Sequence, residues 1–371
     1  MFKRIFALVL ALGLVLSLTA CAQETPAAGV TPTQAVTEAP TEAHVEATEE
    51  IPVEVPAAVT GTDEYGPVTY PVTVIDQAGR EVTIEKAPEK IVSGYYISTS
   101  LLIALGQEDK LVGIEAKADK RPIYRLSAPE LLELPSVGSA KELDLEGCAA
   151  LEPDLVILPQ KLKDAAETLT ELGIAVLLVN PENQELSDGM RALLATALDC
   201  RDQAENLSLF LYEQYRFLED MLEGVERPTV YLAGNSSLLS TAGSAMYQHS
   251  LIELAGGQNV AADLTDSYWA EVSYEQILAW NPAYIILASD ASYCVADVLA
   301  DENLAGVDAV INGNVFQMPN DTESWDSPVP GGILGAVWMA DVLHEEVVLA
   351  DVYAAVDYFY RTFYGFSYGE N

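Results

Sequence analysis

The feature that most constrains the fold is an internal repeat, in which residues 144–158 align without a gap onto residues 273–287. The glutamate, one alanine, the proline and the closing Ile-Leu coincide, and the other apolar strand positions match in kind. In each copy a capping residue (Asp144, Ser273) opens a short helix, a proline ends the helix, and a buried strand follows. The repeat predicts two lobes of the same construction.

Strand-like apolar runs alternate with helical patterns in both halves of the chain. On the N-terminal side the strand-like runs are 72–75, 81–84, 91–93, 111–114, 155–158 and 175–179. On the C-terminal side they are 229–232, 252–255, 283–287 and 315–318, followed by helical patterns at 333–343 and 346–363. Strands that alternate with helices form parallel sheets covered on both faces, so the predicted fold class is α/β.

A stretch without proline separates the two copies of the repeat. Residues 186–226 are rich in Leu, Ala, Glu and Arg, and they carry an apolar stripe at helical spacing. We expect one long connecting helix here, with room for a single break near Asp199. The predicted division is an N-terminal lobe at 71–185, this connecting helix, and a C-terminal lobe at 227–371.

The N-terminal residues have the pattern of an export signal. Lys3 and Arg4 precede an apolar run at 5–18 that is too short for a comfortable membrane span, which is typical of a signal peptide at residues 1–20. The next motif, Leu-Thr-Ala-Cys ending at Cys21, resembles a bacterial lipobox. We expect lipidated Cys21 to anchor the protein to the outer face of the cell membrane. An ordinary secretory signal that happens to end in cysteine is the alternative.

Residues 22–70 predict a disordered acidic tether. They contain nine acidic residues and no Lys or Arg, and they are rich in Ala, Thr and Pro. Such a segment buries too little apolar surface to offset the entropy of ordering it. A partner-binding tail is the alternative function for this segment.

Charge and the reactive residue types exclude several classes of function. With 57 acidic and 18 basic residues the net charge is −39, which opposes nucleic-acid binding. Beyond Cys21 the odd set Cys148, Cys200 and Cys294 does not suggest a disulfide framework. The three histidines are dispersed, so neither metal-ligand spacing nor a catalytic base is evident. Neither a cofactor nor a phosphate-binding glycine loop is indicated.

Several segments together resemble one known family. They are 74–83, 89–93, 151–158, 251–260 and 272–287, in this order behind a lipobox, with Trp325-Asp326-Ser327-Pro328 and 334–340 further on. They resemble the substrate-binding lipoproteins of ABC importers of the helical-backbone class, periplasmic binding protein class III. Members of that class serve iron–siderophore, haem, corrinoid and some oxoanion transporters.

The resemblance implies two Rossmann-like lobes with parallel sheets joined by one long backbone helix. It implies a monomeric, non-enzymatic protein that captures a small-molecule metal chelate, iron–siderophore first, and delivers it to an ABC permease and its ATPase. Corrinoid, haem or an oxoanion such as molybdate are alternative ligands. An exported hydrolase is the alternative outside this class, although the chain has no Gly-x-Ser-x-Gly elbow.

Glu146 and Glu275 occupy equivalent positions of the repeat, each in the first turn of its short helix. In the resembled family an exposed glutamate on each lobe meets arginines of the permease, and these two residues match that pattern. A carboxylate at a helix N-terminus also complements the helix dipole, by about 0.3 to 1 kcal/mol.

The loops that follow predicted strands supply the candidate ligand-binding residues. These are Tyr95, Tyr96, Lys117, Arg121, Tyr124, Gln160, Thr241, Tyr268, Trp269, Trp325 and Asp326. Aromatic rings stack on a bulky ligand while a few cations select its charge. Packing at the base of a loop is the alternative role for any one of them, and the basic cluster around Arg121 either faces an anionic ligand or is solvated.

Overall fold

The computed structural model describes residues 66–265, 269–344 and 352–369. The predicted signal peptide, Cys21 and the tether up to residue 65 lie outside the described residues. Within those ranges no helix is both long enough and apolar enough to cross a membrane.

The N-terminal half contains eight strands and four α-helices among the described residues. The strands are β1 (Val72–Ile75), β2 (Glu81–Ile84), β3 (Ile91–Ser93), β4 (Leu111–Ile114), β5 (Gly138–Ser139), β6 (Glu142–Leu143), β7 (Leu155–Pro159) and β8 (Ala175–Val179). The helices are α1 (Tyr96–Ala104), α2 (Pro122–Ser127), α3 (Leu145–Ala150) and α4 (Lys163–Glu171).

The first sheet is parallel throughout, in the order β4-β3-β7-β8. All three residues of β3 and all five of β7 are buried, because helices and loops cover both faces of the sheet. The strands β1 and β2 form a separate antiparallel hairpin at the predicted positions, and Gly79 in its turn adopts a positive φ of 77°.

Two helices occupy the stretch for which one helix was predicted: α5 (Gln184–Ala197) and α6 (Arg201–Met221). The break falls at Asp199, whose positive φ of 53° is incompatible with a continuous α-helix. The Asp199 carboxylate accepts a hydrogen bond from the Val68 amide at 2.8 Å. The helix that leads into the second sheet is therefore α6, 21 residues and about 30 Å long.

The C-terminal half contains six strands and six α-helices among the described residues. The strands are β9 (Thr229–Ala233), β10 (Ser240–Ala242), β11 (Gln258–Asn259), β12 (Trp269–Glu271), β13 (Tyr284–Leu287) and β14 (Val315–Gln317). The helices are α7 (Tyr247–Leu254), α8 (Tyr274–Trp280), α9 (Val295–Leu299), α10 (Asp308–Asn312), α11 (Gly332–Leu343) and α12 (Val352–Tyr364).

The second sheet repeats the first and adds to it. Its parallel strands lie in the order β11-β9-β13-β14, which reproduces β4-β3-β7-β8. The sheet is extended by two strands that were not predicted, β10 and β12, which are antiparallel to their neighbours. The connection from β9 to β10 is short, and a short connection joins antiparallel neighbours.

The prediction of a strand at 252–255 is wrong, because these residues lie at the end of α7 and just after it. Leu251, Ile252 and Ala255 are buried, and a short apolar run of this kind does not distinguish a buried strand from a buried helix.

The two copies of the repeat share their local geometry. The Asp144 carboxylate accepts from the Gly147 amide at 2.8 Å, and the Ser273 hydroxyl accepts from the Gln276 amide at 3.3 Å. Each copy also places a left-handed residue directly before its proline, Glu152 with φ 49° and Asn281 with φ 43° in the two cases. The predicted duplication is thus present in the caps and the helix ends.

The last helix, α12, returns to the N-terminal half. It packs against α1, and the Ser127 hydroxyl of the N-terminal half donates to the carbonyl of Tyr364 at 2.7 Å. On its other side Phe210 of α6 contacts three aromatic rings of α12, with centroid separations of 5.3 to 5.9 Å. The two halves are therefore joined by α6 and again by α12.

Candidate functional site

A cavity of about 270 Å³ lies where the carboxyl ends of strands from both sheets meet. From the N-terminal half it is lined by Tyr96 and Ser100 of α1, which follows β3, and by residues 120–124, which follow β4. From the C-terminal half it is lined by Asp290, which follows β13, and by Asn320, Thr322, Glu323, Ser324 and Val329, which follow β14. Parallel sheets present their binding loops at this edge, so the cavity is the candidate ligand site.

Tyr96 and Arg121 form one wall of the cavity. The Arg121 guanidinium carbon lies 3.9 Å from the centroid of the Tyr96 ring, a cation–π contact. Tyr95 packs its ring edge-on against Tyr96 at 5.4 Å, and the Tyr96 hydroxyl donates to the Ser327 hydroxyl at 3.3 Å. Burial raises the pKa of Tyr96, so this hydroxyl stays neutral.

Tyr124 lies beneath this wall in a buried hydrogen-bonded group. Its hydroxyl donates to Glu115 at 2.6 Å, and the Thr99 hydroxyl donates to the same carboxyl group at 2.7 Å. Burial raises the pKa of Glu115 above the ordinary range, against the opposing effect of these two donors. The group holds Tyr124 in place on the cavity floor rather than leaving its hydroxyl free for a ligand.

The opposite wall contains Glu323, which is only 5% exposed. Its carboxylate accepts hydrogen bonds from the Ser100 hydroxyl, from the Tyr364 hydroxyl at 3.0 Å and from the Gly331 amide at 3.1 Å. A Cβ atom at position 331 would collide with this carboxylate, which explains why glycine stands there. Burial raises the pKa of Glu323 to about 7.

Four charged side chains line the cavity: Lys120, Arg121, Asp290 and Glu323. Lys120 pairs with Asp119 at 3.1 Å on the exposed surface. In the part of the chain that the structure describes, Arg121 has no carboxylate within ion-pair distance, and its side chain stacks on the Tyr96 ring. Arg121 is therefore the cation available to a ligand.

Two of the predicted ligand residues, Trp325 and Asp326, are buried behind the cavity wall. The Trp325 indole donates to the Tyr360 hydroxyl at 2.9 Å, and Asp326 accepts from the Ser289 amide at 3.0 Å. Both are buried and neither lines the cavity. Burial raises the pKa of Asp326 to about 6.

Four other predicted ligand residues do not line the cavity: Lys117, Gln160, Thr241 and Trp269. Lys117 and Gln160 are exposed. The buried Thr241 hydroxyl donates to the Leu232 carbonyl at 2.7 Å inside the second sheet, and Trp269 packs its ring beside Gly234. Tyr268 lies outside the described residues.

Glu146 and Glu275 are exposed in the first turns of α3 and α8, as the repeat predicts. Hydrogen bonds from its own amide and from Ser273 lower the pKa of Glu275. Both side chains are thus available to a partner, and both lie on equivalent elements of the two lobes.

Several lining residues were not anticipated from the sequence, chiefly Ser100, Asp290 and Glu323. Asp290 and Glu323 follow strands of the second sheet, and a position directly after a strand is also the pattern that predicted Tyr96 and Arg121.

No cluster of three or more His, Cys, Asp or Glu side chains that could hold a metal ion occurs among the described residues.

Two similar lobes, a linking helix and a cavity at the carboxyl ends of their strands define a two-lobed solute-binding protein. The model of the family described as periplasmic binding protein matches residues 91–322, and the chain belongs to that family.

Three relatives show how far the likeness extends. The molybdate-binding protein MolA of Haemophilus influenzae is 27% identical over 323 residues, covering 80% of this chain and 91% of that protein. Its structure with molybdate aligns with a TM-score of 0.69 over 80% of this chain and 99% of that one, at 25% identity. A periplasmic solute-binding protein of Veillonella parvula gives a TM-score of 0.69 at 27% identity, over 81% and 94% of the two chains.

The vitamin B12-binding protein of Salmonella typhi is 30% identical over 192 residues, which is 51% of this chain and 69% of that protein. These relatives are named as binding proteins, and the ligands in their names, molybdate and vitamin B12, differ from one to the next. The fold class and the resemblance inferred from the sequence are confirmed.

Proposed function

We propose that this protein is the extracytoplasmic substrate-binding lipoprotein of an ABC importer and that it captures a small anion between its lobes. The observation that carries the proposal is Arg121, a cation on the cavity wall that stacks on Tyr96 and has no carboxylate within ion-pair distance among the described residues. In a chain of net charge −39, a basic side chain held at the cleft without an acidic partner favours a negatively charged ligand.

The size of the cavity favours a compact ligand. Its volume of about 270 Å³ lies just below the range of about 300 to 1,000 Å³ that is usual for drug-sized ligands. Molybdate and tungstate are compact dianions that need only hydrogen-bond donors and positive charge, and the Arg121 guanidinium supplies both at the cavity wall. A corrinoid or haem would require much more space.

A small anionic ferric chelate, the class favoured by the sequence, is the second candidate. The Tyr96 ring on the cavity wall supports it, because an aromatic ring can pack against the organic part of a chelate.

Ligand titrations of the purified protein distinguish these classes. The protein, prepared without its signal peptide, is titrated with molybdate, tungstate, an anionic ferric siderophore, haem and cobalamin, with tryptophan fluorescence and calorimetry as readouts. We expect binding of the oxoanions and none of cobalamin. Preference for cobalamin or haem over every compact anion would contradict the proposal.

Substitution of Arg121 tests its role directly. Arg121→Ala should weaken anion binding at least tenfold, and Arg121→Lys should restore part of it because the charge remains while the guanidinium geometry is lost. Arg125→Ala is the matched control, since Arg125 is exposed on α2 and does not line the cavity. Equal affinity of Arg121→Ala and Arg125→Ala would remove Arg121 from the site.

We further propose that Cys21 carries the lipid anchor and that Glu146 and Glu275 dock the loaded protein onto the permease. Their exposure at equivalent helix starts supports the docking role. The double variant Glu146→Ala/Glu275→Ala should lose transport in cells and keep its ligand affinity, whereas Glu171→Ala at the exposed end of α4 should change neither. Loss of ligand affinity in the double variant would contradict this role.

A further inference from the structure

Glu323 is a buried carboxylate in the wall of the ligand cavity, where three elements of the fold meet. It accepts hydrogen bonds from Ser100 of α1, from Tyr364 of α12 and from the Gly331 amide next to the start of α11. It therefore connects the N-terminal half to the C-terminal half at the place where a ligand would lie.

No cation balances the charge of Glu323. In the described residues no Lys or Arg nitrogen lies within ion-pair distance of it, and its hydrogen-bond partners are hydroxyls and a backbone amide. The ionisable groups packed around it on the protein side are phenols: Tyr360 and Tyr364 of α12 and Tyr247 of α7. The groups that share the cavity with it are Tyr96 of α1, Lys120, Arg121 and Tyr124 of the segment after β4, and Asp290 after β13.

Both charge states of Glu323 fit its surroundings. When it is ionised, its two oxygens accept the hydrogen bonds from Ser100, Tyr364 and the Gly331 amide, and the Tyr360 hydroxyl also hydrogen-bonds to this carboxylate. When it is protonated on the oxygen that faces Ser100, it donates to the Ser100 hydroxyl while the other oxygen still accepts from the Gly331 amide. Tyr364 then has another acceptor, the Ser100 carbonyl at 3.2 Å. Protonation therefore leaves the link between the halves intact.

Protonation changes the charge that a ligand meets. With Glu323 ionised, the two lining cations, Lys120 and Arg121, are matched by the two lining carboxylates, Asp290 and Glu323. With Glu323 neutral, the cavity wall carries one negative charge fewer. Because charges interact strongly across a partly desolvated cavity, an anion binds the protonated form better, and by reciprocity a bound anion promotes protonation.

We propose that Glu323 takes up a proton when an anionic ligand binds and so makes capture of the anion dependent on pH. This inference rests on the proposed function and adds a specificity-determining residue to it. Burial places the pKa of Glu323 at about 7 in the empty protein. The affinity for an anion should therefore be greatest below pH 7 and should fall by up to about tenfold for each pH unit above it.

The test uses molybdate as the probe, because its charge is constant over the range used. Dissociation constants are measured calorimetrically at pH 6, 7 and 8.5 for the wild type, for Glu323→Gln and for Glu171→Gln as an exposed control. At pH 7.5 the wild type is also titrated in HEPES and in Tris, whose protonation enthalpies differ. The difference between the two binding enthalpies gives the number of protons taken up.

We expect proton uptake and a pH-dependent dissociation constant in the wild type and in Glu171→Gln. Glu323→Gln, which carries the neutral amide, should bind molybdate with the same affinity at all three pH values. Wild-type binding without proton uptake and without pH dependence would overturn this inference and leave the proposed function standing. No binding of molybdate, tungstate or the ferric chelate at any pH would overturn the proposed function and this inference with it. The wild-type measurement decides the matter even if Glu323→Gln fails to fold.

Discussion

The buried carboxyl group of Glu323 links the stability of the empty protein to pH. Burial raises its pKa from 4.5 to about 7, so the folded protein holds this proton more tightly than the unfolded chain does. The associated stability is fully present below about pH 4.5 and is lost as the pH rises to about 7. The difference in the free energy of unfolding amounts to about 3 kcal/mol.

Urea unfolding at pH 4.5 and pH 8 measures this contribution. Between the two pH values the wild type should lose about 3 kcal/mol more than Glu323→Gln, in which the titrating group is absent. Comparison with the variant is needed because Asp326, whose burial raises its pKa to about 6, contributes a loss of the same sign. Parallel pH profiles for the two proteins would show that Glu323 titrates normally.

At the scale of single residues, the position of a side chain after a strand predicted part of the cavity. Tyr96, Arg121 and Tyr124 line it, whereas Thr241 lies within an added antiparallel strand and its hydroxyl bonds inside the sheet. Glu323 could not be singled out, because its burial depends on Ser100 and Tyr364, which are far from it in the chain. An acid in a loop is ordinarily exposed.

At the scale of elements, the contact between α6 and α12 depends on Phe210. This ring is 5% exposed and meets Tyr358, Phe359 and Phe363 of α12. Phe210→Ala should lower the free energy of unfolding by about 3 to 5 kcal/mol, because it removes buried aromatic surface and leaves a cavity. Denaturant unfolding measures the loss.

Tyr212→Ala is the matched control for this contact. Tyr212 lies on the same helix and is 59% exposed, so its truncation should change the free energy of unfolding by less than about 0.5 kcal/mol. Similar losses for the two variants would mean that Phe210 contributes helix propensity rather than packing.

Elements with strong patterns were predicted well, and those with ambiguous patterns were not. The strands β1, β2, β3 and β4 lie at the predicted residues, because each is a short apolar or alternating run between turn signals. The run 252–255 is equally apolar but belongs to the end of α7, where the Met246 side chain provides no cap to mark the start of a helix. The antiparallel strands β10 and β12 are too short to give a periodic signal.

At the scale of the whole molecule, two connections limit how far the lobes can move. The helix α6 runs between them, and α12 packs against α1 of the first half. We therefore expect ligand binding to close the cleft by a few degrees only, since helices resist the hinge motion that flexible loops permit. Crystal structures of the empty and molybdate-bound protein would measure the rotation, and a change of tens of degrees would contradict the expectation.

The duplicated lobes follow from the repeat, which is visible in the sequence because capping residues, prolines and buried strands recur at matching positions. The return of α12 to the first half carries no such signal. In the sequence, its aromatic residues are equally consistent with the buried face of a helix within the second lobe. The contacts of Tyr364 with Ser100 and Ser127 show that it packs against the first half instead.

The position of α12 also governs the order in which the protein is completed. In α1 all residues except Tyr96 are buried, and α12, near the end of the chain, covers part of that surface. Because synthesis proceeds from the N-terminus, part of the apolar surface of α1 stays uncovered until α12 has been made. A chain that lacks α12 should therefore expose apolar surface of α1.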